Sequence, residues 1–161
     1  GNAVGLPMDA MLAAARRFRG LPHRSQSLRE HQGVLWVNDS KATNVGATRA
    51  AIESLAPAGG QLVLIAGGDA KGADLSPLVD AVAGRVRHLV LMGQDAPVLE
   101  EALGNRVAST RVSTMAEAVR VAAGQACAGD RVLLSPACSS LDQYSSYEAR
   151  GDAFARAVEA L

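Results

Sequence analysis

Short apolar runs alternate along this chain with segments whose apolar residues recur every three or four positions. The runs lie at residues 34–37, 62–66, 86–92 and 132–134. Runs this short are typical of buried strands, and the segments between them have the apolar spacing of helices. Strands that alternate with helices pair in parallel and carry helices on both faces of the sheet. The pattern therefore predicts a Rossmann-like three-layer α/β domain with a mostly parallel sheet.

A hairpin is predicted ahead of this alternating pattern. Residues 25–31 and 34–38 flank Gln32-Gly33, a dipeptide suited to a tight turn. Two strands joined in this way run antiparallel, so the first of them is expected to be an antiparallel strand. A further short strand is predicted at Arg111-Val112.

Polar residues that suit an N-cap precede three of the predicted helices. Asn44 stands before a helix over about residues 45–55, and Asp95 stands before another. Thr114 and Glu117 have the spacing of a capping box, in which each side chain bonds a free backbone amide of the first turn.

Both ends of the chain are predicted to be helical. Within residues 1–19 the apolar side chains that share one helical face are Met8, Met11, Leu12, Ala15 and Phe18. Gly20 then ends that helix. In the last helix the inward positions are Tyr147, Gly151, Phe154, Val158 and Leu161.

The segment VNDSKATNVG at residues 37–46 crosses from a predicted strand into a helix. In open α/β sheets this junction is where ligands bind, because free amides and the helix dipole attract anions. Asp39 beside Lys41 and Thr43 suits a ligand that carries hydroxyls at one point and a phosphate or carboxylate at another. The alternative for this segment alone is an N-cap flanked by solvated charges.

Two later segments also follow predicted strands. GGDAKGAD at residues 67–74 places Lys71 beyond a glycine turn, yet it lacks the spacing of a dinucleotide fingerprint or a P-loop. In LSPACSSLDQYSSYEARG at residues 134–151, small residues run from Ser135 to Ser140 and offer hydroxyls and amides that suit a carboxylate. Taken alone, each of these segments is more often an ordinary turn or loop.

Composition excludes several classes of function. Sixteen basic residues balance sixteen acidic ones, and aromatic residues make up 3% of the chain, which argues against a nucleic-acid or acidic-membrane partner. No apolar run is long enough to span a bilayer. Cys127 and Cys138 have no metal-ligand spacing and no His partner, so we expect structural thiols, a reducing cytoplasm and no metal site.

Four motifs follow one another along the chain: GLPHR at 20–24, DSKATN at 39–44, GGDAKGAD at 67–74 and LLSPACSSLDQYSSYEARGDAFA at 133–155. Together they resemble the C-terminal domain of the Mur ligases that add D-glutamate. Sister Mur ligases for other amino acids carry a different motif in place of DSKATN. The resemblance spans nearly the whole chain and implies a Rossmann-like domain with one antiparallel strand.

The resemblance implies a role for individual residues of this sequence. The residues it implies for D-glutamate binding are Lys71, Thr43, Ser140, Leu141 and Tyr147. Lys71 binds the side-chain carboxylate of the incoming amino acid in this family. Two positions depart from the family pattern: Ala70 replaces the usual Gly, and Tyr147 replaces the usual Phe.

The residues implied for nucleotide binding are Arg24 and Lys41, near the phosphates, and Asp39, which accepts hydrogen bonds from the ribose hydroxyls. No catalytic residue and no metal ligand is implied within this domain. We expect His23 to pack locally rather than act as a general base. His31 and His88 are expected at the surface or at a strand edge.

The resemblance also implies an activity and a domain order. The activity is the ATP-dependent addition of D-glutamate to UDP-MurNAc-L-alanine in peptidoglycan precursor synthesis, with ATP and Mg²⁺ bound mainly by another domain. Residues 1–19 correspond to the end of a central ATP-binding domain, residues 20–25 to a hinge, and residues 26–161 to the C-terminal domain. Because the sequence opens on Gly1 rather than Met, we expect this chain to be a piece of a larger enzyme. We expect that parent enzyme to be a cytoplasmic monomer.

Two alternatives remain open at the level of sequence. One is a domain of another amino-acid ligase of the same superfamily, such as folylpolyglutamate synthase. The other is a non-catalytic nucleotide-binding module that shares the fold.

Overall fold

A computed structural model describes residues 20–161, together with Met8 and Met11, which are both helical. The remainder of the predicted N-terminal helix, including Leu12, Ala15 and Phe18, lies outside the described residues. The same holds for most of the segment predicted to close a preceding domain.

Among the residues that the structure describes, six strands form one sheet, and five of the six run in the same direction. The strands are β1 (Gln26–His31), β2 (Val34–Asn38), β3 (Leu62–Gly67), β4 (Val86–Met92), β5 (Ser109–Arg111) and β6 (Arg131–Leu134). Their order across the sheet is β1-β2-β6-β3-β4-β5. Only β1 pairs antiparallel, and it lies at the edge of the sheet. The predicted hairpin and the mostly parallel sheet are therefore confirmed.

Helices cover both faces of this sheet. They are α1 (Val45–Leu55), α2 (Ser76–Val82), α3 (Ala96–Leu103), α4 (Met115–Gln125) and α5 (Tyr147–Glu159). Alternate residues of β3 belong to two apolar cores, one on each face of the sheet. Leu62 and Leu64 pack with apolar residues of α1, α2 and α3, and Val63 and Ile65 pack with those of α4 and α5. Because period-two alternation sends neighbouring side chains to opposite faces, both cores are apolar and the three-layer prediction is confirmed.

Two predicted N-caps are confirmed and one is wrong. Asn44 accepts a hydrogen bond from the amide of Ala47 at 2.9 Å, and Thr114 accepts one from the amide of Glu117 at 3.2 Å. Asp95 stands at the N-cap position of α3, but its side chain makes no capping bond. The Asp95 carboxylate instead accepts from the amide of Ala70 at 2.7 Å, because the loop after β3 passes directly over it.

Two other expectations need correction. His88 is 8% exposed and is therefore buried in β4, where its Nε2 lies 2.9 Å from the hydroxyl of Thr110. Burial lowers the pKa of His88 and so favours the neutral ring. The short strand predicted at Arg111-Val112 is β5, which begins at Ser109 and ends at Arg111.

The carboxyl ends of β2, β3 and β6 lie side by side in the sheet. The loops that follow them are called here the Asp39 loop (residues 39–44), the Lys71 loop (residues 68–74) and the Ser140 loop (residues 135–146). Among the described residues, no helix is both long and apolar enough to cross a membrane.

Candidate functional site

Two adjacent clefts open at the carboxyl edge of the sheet. The first, called here the Asp39 cleft, has a volume of about 480 Å³, and its polar lining comes mainly from Arg24, Ser25, Asp39, Lys41, Thr43 and Asn44. The second, called here the Lys71 cleft, has a volume of about 400 Å³, and its lining includes Thr43, Lys71, Ser139, Ser140, Leu141 and Tyr147. The structure thus gathers every residue predicted for nucleotide binding in one cleft and every residue predicted for D-glutamate binding in the other.

Thr43 lines both clefts. It is half-buried and comes directly before Asn44, the residue that caps α1. The free amides at the start of α1 therefore lie next to the boundary between the clefts, and the positive end of the helix dipole favours an anion there.

Asp39 lies at the inner end of the first cleft and is 8% exposed. One carboxylate oxygen accepts from the amide of Ser25 at 3.0 Å, and the other accepts from the hydroxyl of Ser135 at 2.9 Å. Burial raises the pKa of Asp39, although these two hydrogen bonds partly oppose the rise. Because a carboxylate has about four lone-pair positions, each oxygen keeps room for one more donor, such as a ligand hydroxyl.

Lys41 and Tyr147 bring the two clefts into contact. The ammonium of Lys41 lies 4.1 Å from the centroid of the Tyr147 ring, within the range of a cation–π contact. The amide of Lys41 donates to the carbonyl of His23 at 3.0 Å, which fixes the start of the side chain. A cation that lines the first cleft is thus held by an aromatic ring that lines the second.

The Lys71 loop is held in place by two carboxylates. The amide of Lys71 donates to Asp69 at 2.9 Å, and the amide of Ala70 donates to Asp95 at 2.7 Å. Lys71 itself has a φ of +53° and an exposed side chain. It forms no ion pair with any residue that the structure describes. Its ammonium is therefore available for an anionic ligand.

Ala70, which departs from the family's Gly, fits this loop without backbone strain. Its φ is not positive, and the residue is buried. The glycine that the loop requires is Gly68, where φ is +127° and a Cβ would collide with the carbonyl of Ser139. Asp69 and Ser139 pair backbone to backbone at 3.1 and 2.9 Å, so the Lys71 and Ser140 loops form a short antiparallel bridge.

The two predicted residues of the Ser140 loop differ in exposure. Ser140 is 3% exposed and lies at the inner end of the Lys71 cleft, whereas Leu141 is 66% exposed at its mouth. The amide of Leu141 has one long hydrogen bond, of 3.4 Å, to the hydroxyl of Ser139. This amide remains a donor that an incoming carboxylate can capture.

His23 packs locally, as predicted. Its ring faces Gly151 of α5 so closely that a Cβ at that position would collide with it. The ring nitrogen Nδ1 lies 3.2 Å from the side-chain nitrogen of Asn38, and the ring meets Tyr147 edge to face at 6.2 Å. These contacts tie His23 to the end of β2 and to α5.

Cys138 is buried, and burial raises the pKa of its thiol to about 12. The thiol therefore stays protonated at neutral pH, and the prediction of a structural cysteine is confirmed. Within the described part of the chain, no group of three or more His, Cys, Asp or Glu side chains is placed to hold a metal ion.

Sequence reasoning missed Arg150, which is 2% exposed in α5. Its guanidinium donates to the hydroxyl and the carbonyl of Ser40 at 3.1 and 3.0 Å and to the carbonyl of Cys138 at 3.2 Å. Burial lowers the pKa of Arg150 to about 10. A signal for it existed, because Arg150 lies three residues after Tyr147 and four before Phe154, on the stripe predicted to face inward.

Comparisons with known proteins agree with this geometry. The sequence model of the family described as "Mur ligase, glutamate ligase domain" matches residues 23–138. The chain is 59% identical to the UDP-N-acetylmuramoylalanine–D-glutamate ligase of Pseudomonas savastanoi and 58% identical to that of Pseudomonas aeruginosa. Each match covers all of this chain and 36% of the relative, so the chain spans about a third of the length of these curated relatives.

Solved structures of related ligases share the fold. A UDP-N-acetylmuramate–alanine ligase from Thermotoga maritima matches with a TM-score of 0.71 at 13% identity, over 99% of this chain and 35% of that one. A bifunctional folylpolyglutamate and dihydrofolate synthase from Yersinia pestis, complexed with AMPPNP and Mn, matches with a TM-score of 0.65 at 24% identity, over 94% and 35%. At these identities the likeness shows the fold alone. The family match over residues 23–138, more than half of the chain, shows that this chain belongs to the Mur ligase family, through its glutamate ligase domain.

Proposed function

We propose that this chain is the domain of an ATP-dependent ligase that supplies the D-glutamate site and part of the nucleotide site. The ligase joins D-glutamate to UDP-MurNAc-L-alanine and so makes a peptidoglycan precursor. The support from sequence is the identity of 54–59% to ligases of that name over the whole of this chain. The observation that carries the proposal is the separation of two clefts with Thr43 between them.

The Lys71 cleft is proposed to bind D-glutamate. Its free ammonium suits the side-chain carboxylate, since Lys71 has no ion-pair partner among the described residues. Thr43, the Ser140 hydroxyl and the Leu141 amide then face the α-carboxylate, and the ring of Tyr147 packs against the carbon chain. An amino acid with two carboxylates thus has a donor for each.

The Asp39 cleft is proposed to bind one side of ATP. Arg24 and Lys41 suit the phosphates, and the free lone pairs of Asp39 suit the ribose hydroxyls. Mg²⁺, the remainder of the triphosphate and UDP-MurNAc-L-alanine are assigned to other domains of the ligase.

This domain contributes to the reaction by positioning the substrates and by neutralising their negative charges. In the proposed reaction, ATP phosphorylates the carboxylate of UDP-MurNAc-L-alanine. The D-glutamate amine then attacks this acyl phosphate, a tetrahedral intermediate forms, and inorganic phosphate leaves as the amide bond forms. No side chain of this domain is proposed to take part covalently. Lys71 and its neighbours fix the two carboxylates so that the amine alone points at the acyl phosphate.

We propose that the parent ligase is a cytoplasmic monomer that has no nucleic-acid or membrane partner. The balance of sixteen basic and sixteen acidic residues in this chain bears on the partners alone, since it offers no strong field to nucleic acid or to an acidic membrane. Its product would serve cell-wall biogenesis and, through it, cell shape and division.

The folylpolyglutamate synthase alternative has weaker support. Solved structures of that activity are 16–24% identical to this chain, against 54–59% for the curated D-glutamate ligases. The remaining alternative, a non-catalytic nucleotide-binding module, leaves the Lys71 cleft without a ligand.

A substrate screen of the full-length ligase tests the proposal. Purified enzyme is supplied with ATP, Mg²⁺ and either UDP-MurNAc-L-alanine or a reduced folate as the acceptor. D-glutamate, L-glutamate, D-aspartate, L-lysine and D-alanyl-D-alanine are then offered singly. We expect phosphate release and a ligated product with D-glutamate only. Ligation of L-glutamate to a folate, or of another amino acid to the UDP-sugar, would remove the assignment.

A further inference from the structure

Arg150 is a buried cation whose hydrogen bonds all go to the backbone or to a hydroxyl. The side chain leaves α5 and ends against Ser40 and Cys138, and its exposure is 2%. Among the described residues, no carboxylate lies within 4.0 Å of its guanidinium. A buried charge without a counter-ion destabilises the folded state, and this cost must be offset by well-placed hydrogen bonds to the charged group.

These hydrogen bonds reach all three strand ends that form the clefts. The Nε group and one terminal nitrogen donate to Ser40 in the Asp39 loop. The other terminal nitrogen donates to Cys138 in the Ser140 loop at 3.2 Å and to Gly67, directly before the Lys71 loop, at 3.4 Å. A planar fork with several donors is suited to reach carbonyls of two loops and of the end of β3 at once.

Ser40 extends this network back to α5. Its hydroxyl donates to the carbonyl of Tyr147 at 2.8 Å while it accepts from Arg150. The ring of Tyr147, in turn, lies under the ammonium of Lys41. The positions of Lys41, Lys71 and Ser140 relative to one another therefore depend on loops that a single guanidinium joins.

We propose that Arg150 is a positioning residue that holds the Asp39, Lys71 and Ser140 loops in register, so that both clefts have their binding geometry before any ligand arrives. This rests on the proposed function only for the identity of the ligands. The loss of Arg150 loosens the loops against one another while the apolar cores, formed by other residues, remain packed.

The first experiment observes the loops without reference to any activity. Amide spectra of the ¹⁵N-labelled 161-residue chain are recorded for wild type and for Arg150→Lys, which keeps the charge but loses the fork. Arg156→Lys in the same helix is the matched control, since Arg156 is exposed. We expect the amides of Ser40, Gly68 and Ser139 to shift or broaden together in Arg150→Lys and to stay unchanged in the control.

The second experiment measures the effect on the ligase. In the full-length enzyme, Arg150→Lys should raise the KM for D-glutamate about ten-fold, because misplaced donors bind both carboxylates less well. The KM for UDP-MurNAc-L-alanine should not change. A purely structural role would lower the folded fraction, and hence kcat, without a change in KM. Ser40→Ala, which removes one acceptor only, should raise the KM for D-glutamate by a smaller factor.

The outcomes separate the two proposals. Loop amides that shift together in a protein that does not use D-glutamate would support the positioning role and remove the ligase assignment. Spectral changes confined to α5, or an unchanged KM for D-glutamate in a D-glutamate ligase, would overturn the positioning role. If Arg150→Lys does not fold, the loop amide spectra and the KM for D-glutamate are measured on Ser40→Ala instead, and the same outcomes decide.

Discussion

The carboxylate of Asp39 accepts a hydrogen bond from the backbone amide of Ser25 at 3.0 Å. This bond ties the residues just before β1 to the end of β2, and the second carboxylate oxygen binds Ser135 after β6. Asp39 therefore joins three segments of the chain in addition to lining a cleft. Any substitution of it changes the structure as well as the proposed nucleotide site.

The buried position of Asp39 predicts an unusual dependence of stability on pH. Burial raises the pKa of Asp39 above its ordinary value of 3.8, so the folded state binds its proton more tightly than the unfolded state does. The contribution of Asp39 to stability therefore falls as pH rises from about 3.8 through the raised pKa. Urea unfolding of wild type and Asp39→Asn, measured between about pH 3 and 7, gives this contribution by difference. A stability difference that grows in favour of wild type over the same interval would contradict the prediction.

Asp130 should behave in the opposite way. Burial alone would raise its pKa, but hydrogen bonds from Arg87 at 2.7 Å and from the amides of Cys127 and Gln61 outweigh burial and lower it. Its contribution is therefore present above about pH 3.8 and is lost as pH falls through the lowered pKa. We expect Asp130→Asn to cost about 1–3 kcal/mol of unfolding free energy at neutral pH and progressively less in acid.

The exposed pair of Arg49 and Glu53 provides the control for Asp130. Their side chains are 54% and 44% exposed, and pairs of this kind add little to stability. Glu53→Gln should leave the urea midpoint unchanged. A loss as large as that of Asp130→Asn would mean that charge alone, and not burial with hydrogen bonds, governs the effect.

Tyr147 offers a test of the contact between the two clefts. The Lys41 ammonium faces the ring and not the hydroxyl, so Tyr147→Phe should leave both the KM for ATP and the KM for D-glutamate nearly unchanged. Tyr147→Leu removes the aromatic face and should raise both constants by roughly two- to five-fold. Steady-state kinetics of the full-length ligase provide the measurement. A large effect of Tyr147→Phe would show that the hydroxyl itself binds a ligand.

The isolated chain should neither hydrolyse ATP nor ligate D-glutamate, because Arg24, Lys41 and Asp39 form only one side of the proposed nucleotide site. We expect no saturable ADP binding by calorimetry below about 1 mM, which corresponds to roughly 4 kcal/mol. Turnover by the purified chain, or a micromolar constant for ADP, would show that this domain alone holds the nucleotide.

The fold and the residues that line both clefts could be predicted from the sequence, because both follow from the order of apolar and polar residues. Apolar runs at strand spacing specify the parallel sheet, and polar motifs that follow those runs must collect at one edge of it. The resemblance then divided these motifs into two sites, and the structure places Arg24, Asp39 and Lys41 in one cleft and Lys71 and Ser140 in the other.

The contacts that sequence reasoning missed are those between polar residues far apart in the chain. Asp95 has the type and position of an N-cap, yet its carboxylate binds the amide of Ala70, from a loop that only the folded sheet brings near. Arginine is usually a surface residue, and the burial of Arg150 is explained by the carbonyls of Ser40, Gly67 and Cys138, which only the folded sheet brings together. His88 is buried because Thr110 of the neighbouring strand supplies its partner.

The most direct test of the division into two clefts compares the effects of removing Lys71 and Arg24, the exposed cations of the Lys71 cleft and the Asp39 cleft. In the full-length ligase, Lys71→Met should raise the KM for D-glutamate roughly ten- to hundred-fold, because a charge-assisted hydrogen bond is lost, and should leave the KM for ATP unchanged. Arg24→Met should raise the KM for ATP and leave that for D-glutamate unchanged. The KM for UDP-MurNAc-L-alanine should be constant in both. If Lys71→Met instead weakens ATP and spares D-glutamate, the assignment of the two clefts is contradicted.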